Sequence, residues 1–197
     1  MKPEEMARFV IDSIEPLRDS IYGNRYRVAA HLSDGTYLPC VVLQSRQALV
    51  RLALRRFKEE HSHYESIVGT FVAGGTCVDD YYLKDVEVSP FAWPLERLKE
   101  IHGETVMGWT AFVAEMKDGT MHSYGTSFSF DFFELPVGYS HSDIVKIHSG
   151  MVYSKDSGLK AFSMNSAQQT KPFRERPFFT CYLQDLDAAG LATSVDA

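Results

Sequence analysis

Apolar residues at the start of the chain recur at spacings of three and four. Met6, Phe9, Val10 and Ile14 share one helical face, and Glu4 and Glu5 sit in the first turn, where the helix dipole favours acids. This predicts a helix over 3–15, ended by Pro16. Over 25–43 two apolar-rich stretches flank Asp34-Gly35-Thr36. Asp-Gly in that setting is a strong hairpin signal, because Gly enters positive φ without a clash and Asp tolerates it. Pro39 in the return strand cannot donate to a ladder, which predicts an edge strand.

The same order of features returns later. Pro16-Leu17, Ile21-Tyr22-Gly23, strand, Asp34-Gly35-Thr36, strand is matched by Pro94-Leu95, Ile101-His102-Gly103, strand, Asp118-Gly119-Thr120, strand, with the turns 84 positions apart. Two related helix–hairpin units are expected. In the second, residues 122–132 alternate with period two. That predicts one strand with Phe128 and Phe130 in the core and Ser123, Gly125, Ser127, Ser129 and Asp131 on the opposite face. A two-residue turn would pair Phe112 with Gly125, and a three-residue bulged turn would pair it with Tyr124; Asp-Gly suits both.

Between the hairpins the pattern predicts a helix from Ser45 to about Glu60 and a further hairpin, IVGTFVA and TCVDDYYL, around Gly74-Gly75. A third helix is expected from Ser89-Pro90 through Leu95, Leu98 and Ile101 to Gly103. Beyond Pro136, Ser142 is expected to cap a helical turn reaching His148, followed by strands near 151–154, 158–163 and 177–183. The resulting fold class is α+β, with antiparallel sheets built from Asp-Gly hairpins and about three covering helices. Its parts would be a helix-hairpin-helix half over 1–88, a helix-hairpin half over 89–184 sharing the core, and a flexible acidic tail over 185–197.

Composition narrows the setting. With 197 residues, 45% of them hydrophobic, the chain can build its own core. A net charge of −6 disfavours nucleic acid as a partner. Three cysteines without pairing spacing suit a reducing compartment, the start carries acids where a signal peptide needs bases, and no apolar run approaches a membrane span. The expectation is a cytoplasmic protein with no membrane partner. The motifs GxSxG, GxxxxGK[ST], CxxC, HExxH and GxGxxG are absent, so no cofactor is implied.

Several constellations could carry chemistry. Asp79-Asp80 upstream of Glu115 and Lys117 make an acid-acid-lysine set of the kind that holds magnesium and activates water in some nucleases. His61, His63 and Glu65 offer imidazole and carboxylate ligands past a helix end, and Arg51, Arg55 and Lys58 form a basic stripe. Solvated helix surfaces are the favoured account of both. Cys40 and His31 across the first hairpin lack a third, orienting group. The row Ser123, Gly125, Ser127, Ser129, Asp131 would let another backbone approach closely. The leading expectation is therefore a non-catalytic interaction module that docks to another protein, with a homodimer as one form. The competing one is a metal-dependent hydrolase, possibly a nuclease, using Asp79 or Asp80, Glu115 and Lys117.

Overall fold

A computed structural model of the chain describes residues 2–19, 23–45, 77–127, 129–166, 175–183 and 186. It is an α+β structure dominated by strands. The described elements are α1 (Pro3–Ser13), β1 (Leu17–Asp19), β2 (Gly23–Leu32), β3 (Tyr37–Ser45), β4 (Leu83–Val88), α2 (Leu95–Leu98), β5 (Thr110–Met116), β6 (Met121–Thr126), β7 (Ile144–Ser149), β8 (Met151–Ser154), β9 (Gly158–Ala161) and β10 (Phe179–Leu183). Ser45, the expected cap of the helix over 45–60, ends β3, while the rest of that helix and the Gly74-Gly75 turn lie outside the described residues. None of the described helices is long and apolar enough to cross a membrane.

The chain divides into two compact units, Met1–Pro90 with Phe178–Ala197, and Phe91–Pro177. In the first, α1 starts as its acids suggest: the Glu5 carboxylate accepts the Lys2 backbone N–H at 3.0 Å. Its apolar face, Met6, Ala7 and Val10, with Ile14 just beyond, packs in one cluster with Tyr26, Val28, Val41, Leu43, Cys181 and Leu183 of the sheet. Burying each larger side chain there contributes on the order of 1.5–3 kcal/mol. The sheet runs β1-β2-β3-β10, with β4 also pairing β2.

Two expectations change here. β10 pairs with β3 in parallel, Val41 to Ser45 against Phe179 to Leu183, so β3 is an interior strand and the sheet is not wholly antiparallel. Pro39 is tolerated because it precedes the stretch that β10 pairs and sits where the β2–β3 register shifts, between Val28 and Ala30. The stretch TCVDDYYL is not one strand. Asp80–Tyr82 form a 3-10 turn ahead of β4, as the low strand preference of consecutive aspartates favours.

The second unit centres on β5, flanked by β6 and β7, with β8 and β9 as a separate hairpin. β5 and β6 pair Phe112 with Tyr124, the bulged-turn register. The two Asp-Gly turns share one geometry. Gly35 N–H donates to Leu32 O at 3.1 Å and Leu32 N–H to Thr36 O at 2.8 Å; Gly119 N–H donates to Met116 O and Met116 N–H to Thr120 O, both at 2.9 Å. Both glycines have positive φ, 90° and 82°, which a side chain would strain.

The third expected helix is short. α2 begins after Pro94, because proline forces Trp93 out of the helical region, and Ser89 donates to Pro39 O at 2.6 Å instead of capping a helix. Residues 144–149 form β7 rather than a helical turn through His148, since Ile144, Val145 and Ile147 are β-branched and β5 offers a ladder. The core of this unit is aromatic. Trp93 packs edge-on to Phe112 and Tyr124 (ring centroids 5.9 and 4.8 Å), and Phe112 stacks on Tyr124 at 5.3 Å. The Tyr124 hydroxyl donates to Glu134 O at 3.0 Å, which satisfies the buried phenol.

Candidate functional site

The strand expected over 122–132 stops at Thr126. There the Thr126 hydroxyl donates to Ser129 O at 2.6 Å and accepts the Ser129 N–H at 3.0 Å, offering the backbone a local partner in place of a ladder. Ser129 then donates to Asp131 Oδ2 at 2.5 Å, and both residues are buried. Ser123 is buried too: its hydroxyl accepts the Tyr153 N–H at 2.9 Å and donates to Tyr153 O at 3.2 Å. A Cβ at Gly125 would stand 2.6 Å from Trp109 Cε2. Ser127 is exposed, with its hydroxyl donating to Glu175 Oε1 at 2.7 Å. The small-residue row is thus not an open docking face. At Ser123 and Gly125 the small residues make room for Tyr153 of β8 and for Trp109. Phe130 is half-buried rather than core, while Phe132 and Phe133 are fully buried, and Phe128 lies outside the described residues.

The acid-acid-lysine set is divided between the units. Asp79 and Asp80 belong to the first, Glu115 and Lys117 to the second. Glu115 Oε2 is 2.8 Å from His148 Nε2, and Lys117 Nζ is 3.6 Å from Asp143 Oδ1. Each already has a partner of its own, and the β5–β7 register shifts between Glu115 and Met116. Among the described residues no three His, Cys, Asp or Glu side chains gather into a metal-binding group. Arg51, Arg55, Lys58, His61, His63 and Glu65 lie outside the described residues.

Around the second Asp-Gly turn a polar brace forms. The Tyr139 hydroxyl donates to Asp118 Oδ2 at 2.7 Å, and Thr120 donates to Asp118 Oδ1 through both hydroxyl (2.7 Å) and N–H (2.9 Å). These bonds, Tyr139 first, hold the Asp118 carboxyl down at about 2. His122 has its ring 5.6 Å from that of Tyr139, and burial lowers its proton affinity.

The first unit carries a different surface at the end of its sheet marked by the Asp34-Gly35 turn. Tyr81 is 68% exposed and Tyr82 47%, with ring centroids 4.1 Å apart. The Tyr82 carbonyl accepts the Ser33 N–H at 2.8 Å, which ties this 3-10 turn to the hairpin turn. On the flanking strands, His31 pairs with Tyr37 on one side and with Asp85 on the other. Its ring lies 4.9 Å from that of Tyr37, and its Nε2 is 3.5 Å from Glu87 Oε1. Partial burial and the Glu87 carboxylate push the Tyr37 hydroxyl up; hydrogen bonding with Tyr82 first, and the Asp79 charge after it, holds Tyr81 at about 12. These phenols are therefore neutral near pH 7. The sequence signal is the run Asp79-Asp80-Tyr81-Tyr82, in which two tyrosines directly follow the two aspartates.

The architecture is that of a two-unit α+β protein with a tyrosine- and acid-lined end on its first unit. Comparison of the chain with family models, with curated proteins and with solved structures returned no match.

Proposed function

We propose that the chain is a non-catalytic interaction module of the cytoplasm that docks to another protein, as an adaptor, inhibitor or immunity-type protein does. The observation that carries this reading is the exposure of Tyr81 and Tyr82, their rings tilted against each other with centroids 4.1 Å apart, together with exposed Tyr37. Tyrosine offers large, rigid contact area with little rotamer entropy to lose, and interface cores are enriched in it. Cys40, Cys77 and Cys181, three cysteines without pairing spacing, fit a reducing compartment. A cross-linked pull-down from native lysate with wild type and Tyr81→Ala/Tyr82→Ala tests the reading, with sedimentation to detect a second copy of the chain as the partner. The variant should keep its melting temperature and lose the captured species. Equal capture by both proteins overturns it.

A second reading is a metal-dependent hydrolase that uses Glu115 and Lys117 of the second unit. It draws on one observation: the part-buried Glu115 carboxylate lies 2.8 Å from His148 Nε2, a pairing of two groups that can each act in general acid–base chemistry. Magnesium-dependent cleavage of plasmid DNA that Glu115→Gln removes would support it; cleavage unaffected by that variant sinks it.

A further inference from the structure

We propose that the tyrosine- and acid-lined end of the first unit recognises a basic partner segment, one that presents arginine side chains. The inference rests on the docking reading and adds the chemistry of the partner. Residues 31–37 and 77–88 contribute five carboxylates, Asp34, Asp79, Asp80, Asp85 and Glu87, and one lysine, Lys84. All five carboxylate residues are exposed or half-exposed. Two ties bring them to one end of the sheet: His31 pairs with both Tyr37 and Asp85, and the Tyr82 carbonyl holds the Ser33 N–H. Three exposed phenol rings, Tyr37, Tyr81 and Tyr82, are interspersed among those charges.

Rings and carboxylates together select for a guanidinium. Its planar face stacks on an aromatic ring while its N–H fork bonds a carboxylate, which neither an anion nor an apolar surface can do. An ammonium has the charge without the flat face, so arginine is preferred over lysine. His31 lies beside Glu87 and Tyr37 at the same end. Nucleic acids and anionic lipid surfaces are repelled by the same carboxylates.

The test uses the full chain with fluorescein-labelled nona-arginine and nona-lysine, read by fluorescence anisotropy. Nona-arginine should bind several-fold more tightly than nona-lysine. Tyr81→Ala/Tyr82→Ala should weaken nona-arginine about fivefold or more, as two exposed cation–π contacts imply. Asp85→Lys/Glu87→Lys should weaken it more than tenfold. Glu96→Lys/Glu104→Lys in the second unit changes net charge equally and should have less than a twofold effect. Melting temperatures near wild type show that each variant is folded. Nona-arginine bound as well by the tyrosine variant, or weakened as much by the second-unit reversal, overturns the inference in favour of diffuse charge attraction. Absence of peptide binding while tyrosine-dependent capture persists overturns the basic partner and leaves docking standing. Loss of both tyrosine dependences removes docking as well.

Discussion

Trp109 occupies the space that a side chain at Gly125 would need. A Cβ built at Gly125 would lie 2.6 Å from the indole Cε2 and 2.8 Å from Nε1. Gly125 pairs with Ala111 across β5 and β6, and Trp109 belongs with Ala111, Val152 and Phe162 in the small cluster on that side of the sheet. The absence of a side chain at 125 is what admits the ring.

Gly125→Ala should therefore overpack the cluster and destabilise the protein by about 1–3 kcal/mol. Trp109→Ala opens the space that the new methyl needs. The double variant should consequently lose less stability than the two single losses summed, as expected for residues in contact. Urea denaturation of the four proteins measures this, and additive losses would mean that the two residues do not share the space.

The aromatic core sets unequal values on neighbouring phenylalanines. Phe133 is fully buried with its ring 5.3 Å from Phe112, so Phe133→Ala should cost about 3–5 kcal/mol. Phe130 is half-buried, its ring 6.5 Å from Phe133, and Phe130→Ala should cost roughly 1 kcal/mol. Denaturation midpoints compare the two. Equal losses would place Phe130 in the core after all.

Asp118 should make the second hairpin sensitive to acid. Its carboxyl lies at about 2 in the folded protein against an ordinary value of 3.8, so the unfolded chain takes up the proton first as pH falls. The stabilisation is complete above roughly pH 4 and is lost on going down towards pH 2. Asp118→Asn should be less stable than wild type at pH 7, and the gap should close as the pH approaches 2. A gap that stays constant across this range would assign the effect to something other than the carboxylate.

Arginine substitutions along the 122–132 segment should divide by burial. Ser129 is 3% exposed and bonded to buried Asp131, so Ser129→Arg should cost roughly 3 kcal/mol or more. Ser127 is exposed, and its Oγ and N–H both meet a carboxylate, Glu175; Ser127→Arg should change stability by no more than about 0.5 kcal/mol and leave partner capture intact. Thermal melts and the pull-down read both. Loss of capture in a folded Ser127→Arg protein would return the docking surface to the second unit.

The α+β class, the helix at Pro3–Ser13 and the positions of both Asp-Gly turns were legible in the chain, because each depends on residues a few positions apart. Glu5 reaches back to Lys2, Gly35 N–H reaches Leu32 O, and Gly119 N–H reaches Met116 O. Such bonds close within one turn of backbone, so local residue types are enough to specify them. The tyrosine-rich surface was only half legible. Asp79-Asp80-Tyr81-Tyr82 stands out as a run, but that it shares a sheet end with His31 and Tyr37 depends on β4 pairing with β2.

What covers each strand face was decided in three dimensions. The alternation Ser123, Tyr124, Gly125, Thr126 tells of two faces and of their different sizes, and both turn out to be buried. One packs against Trp93 and Phe112, the other against Tyr153 and Trp109. Likewise β10 enters the first sheet in parallel with β3, from a position more than a hundred residues further along the chain. A period-two pattern records where side chains point but carries no address for the partner, and only the packing of distant segments supplies one.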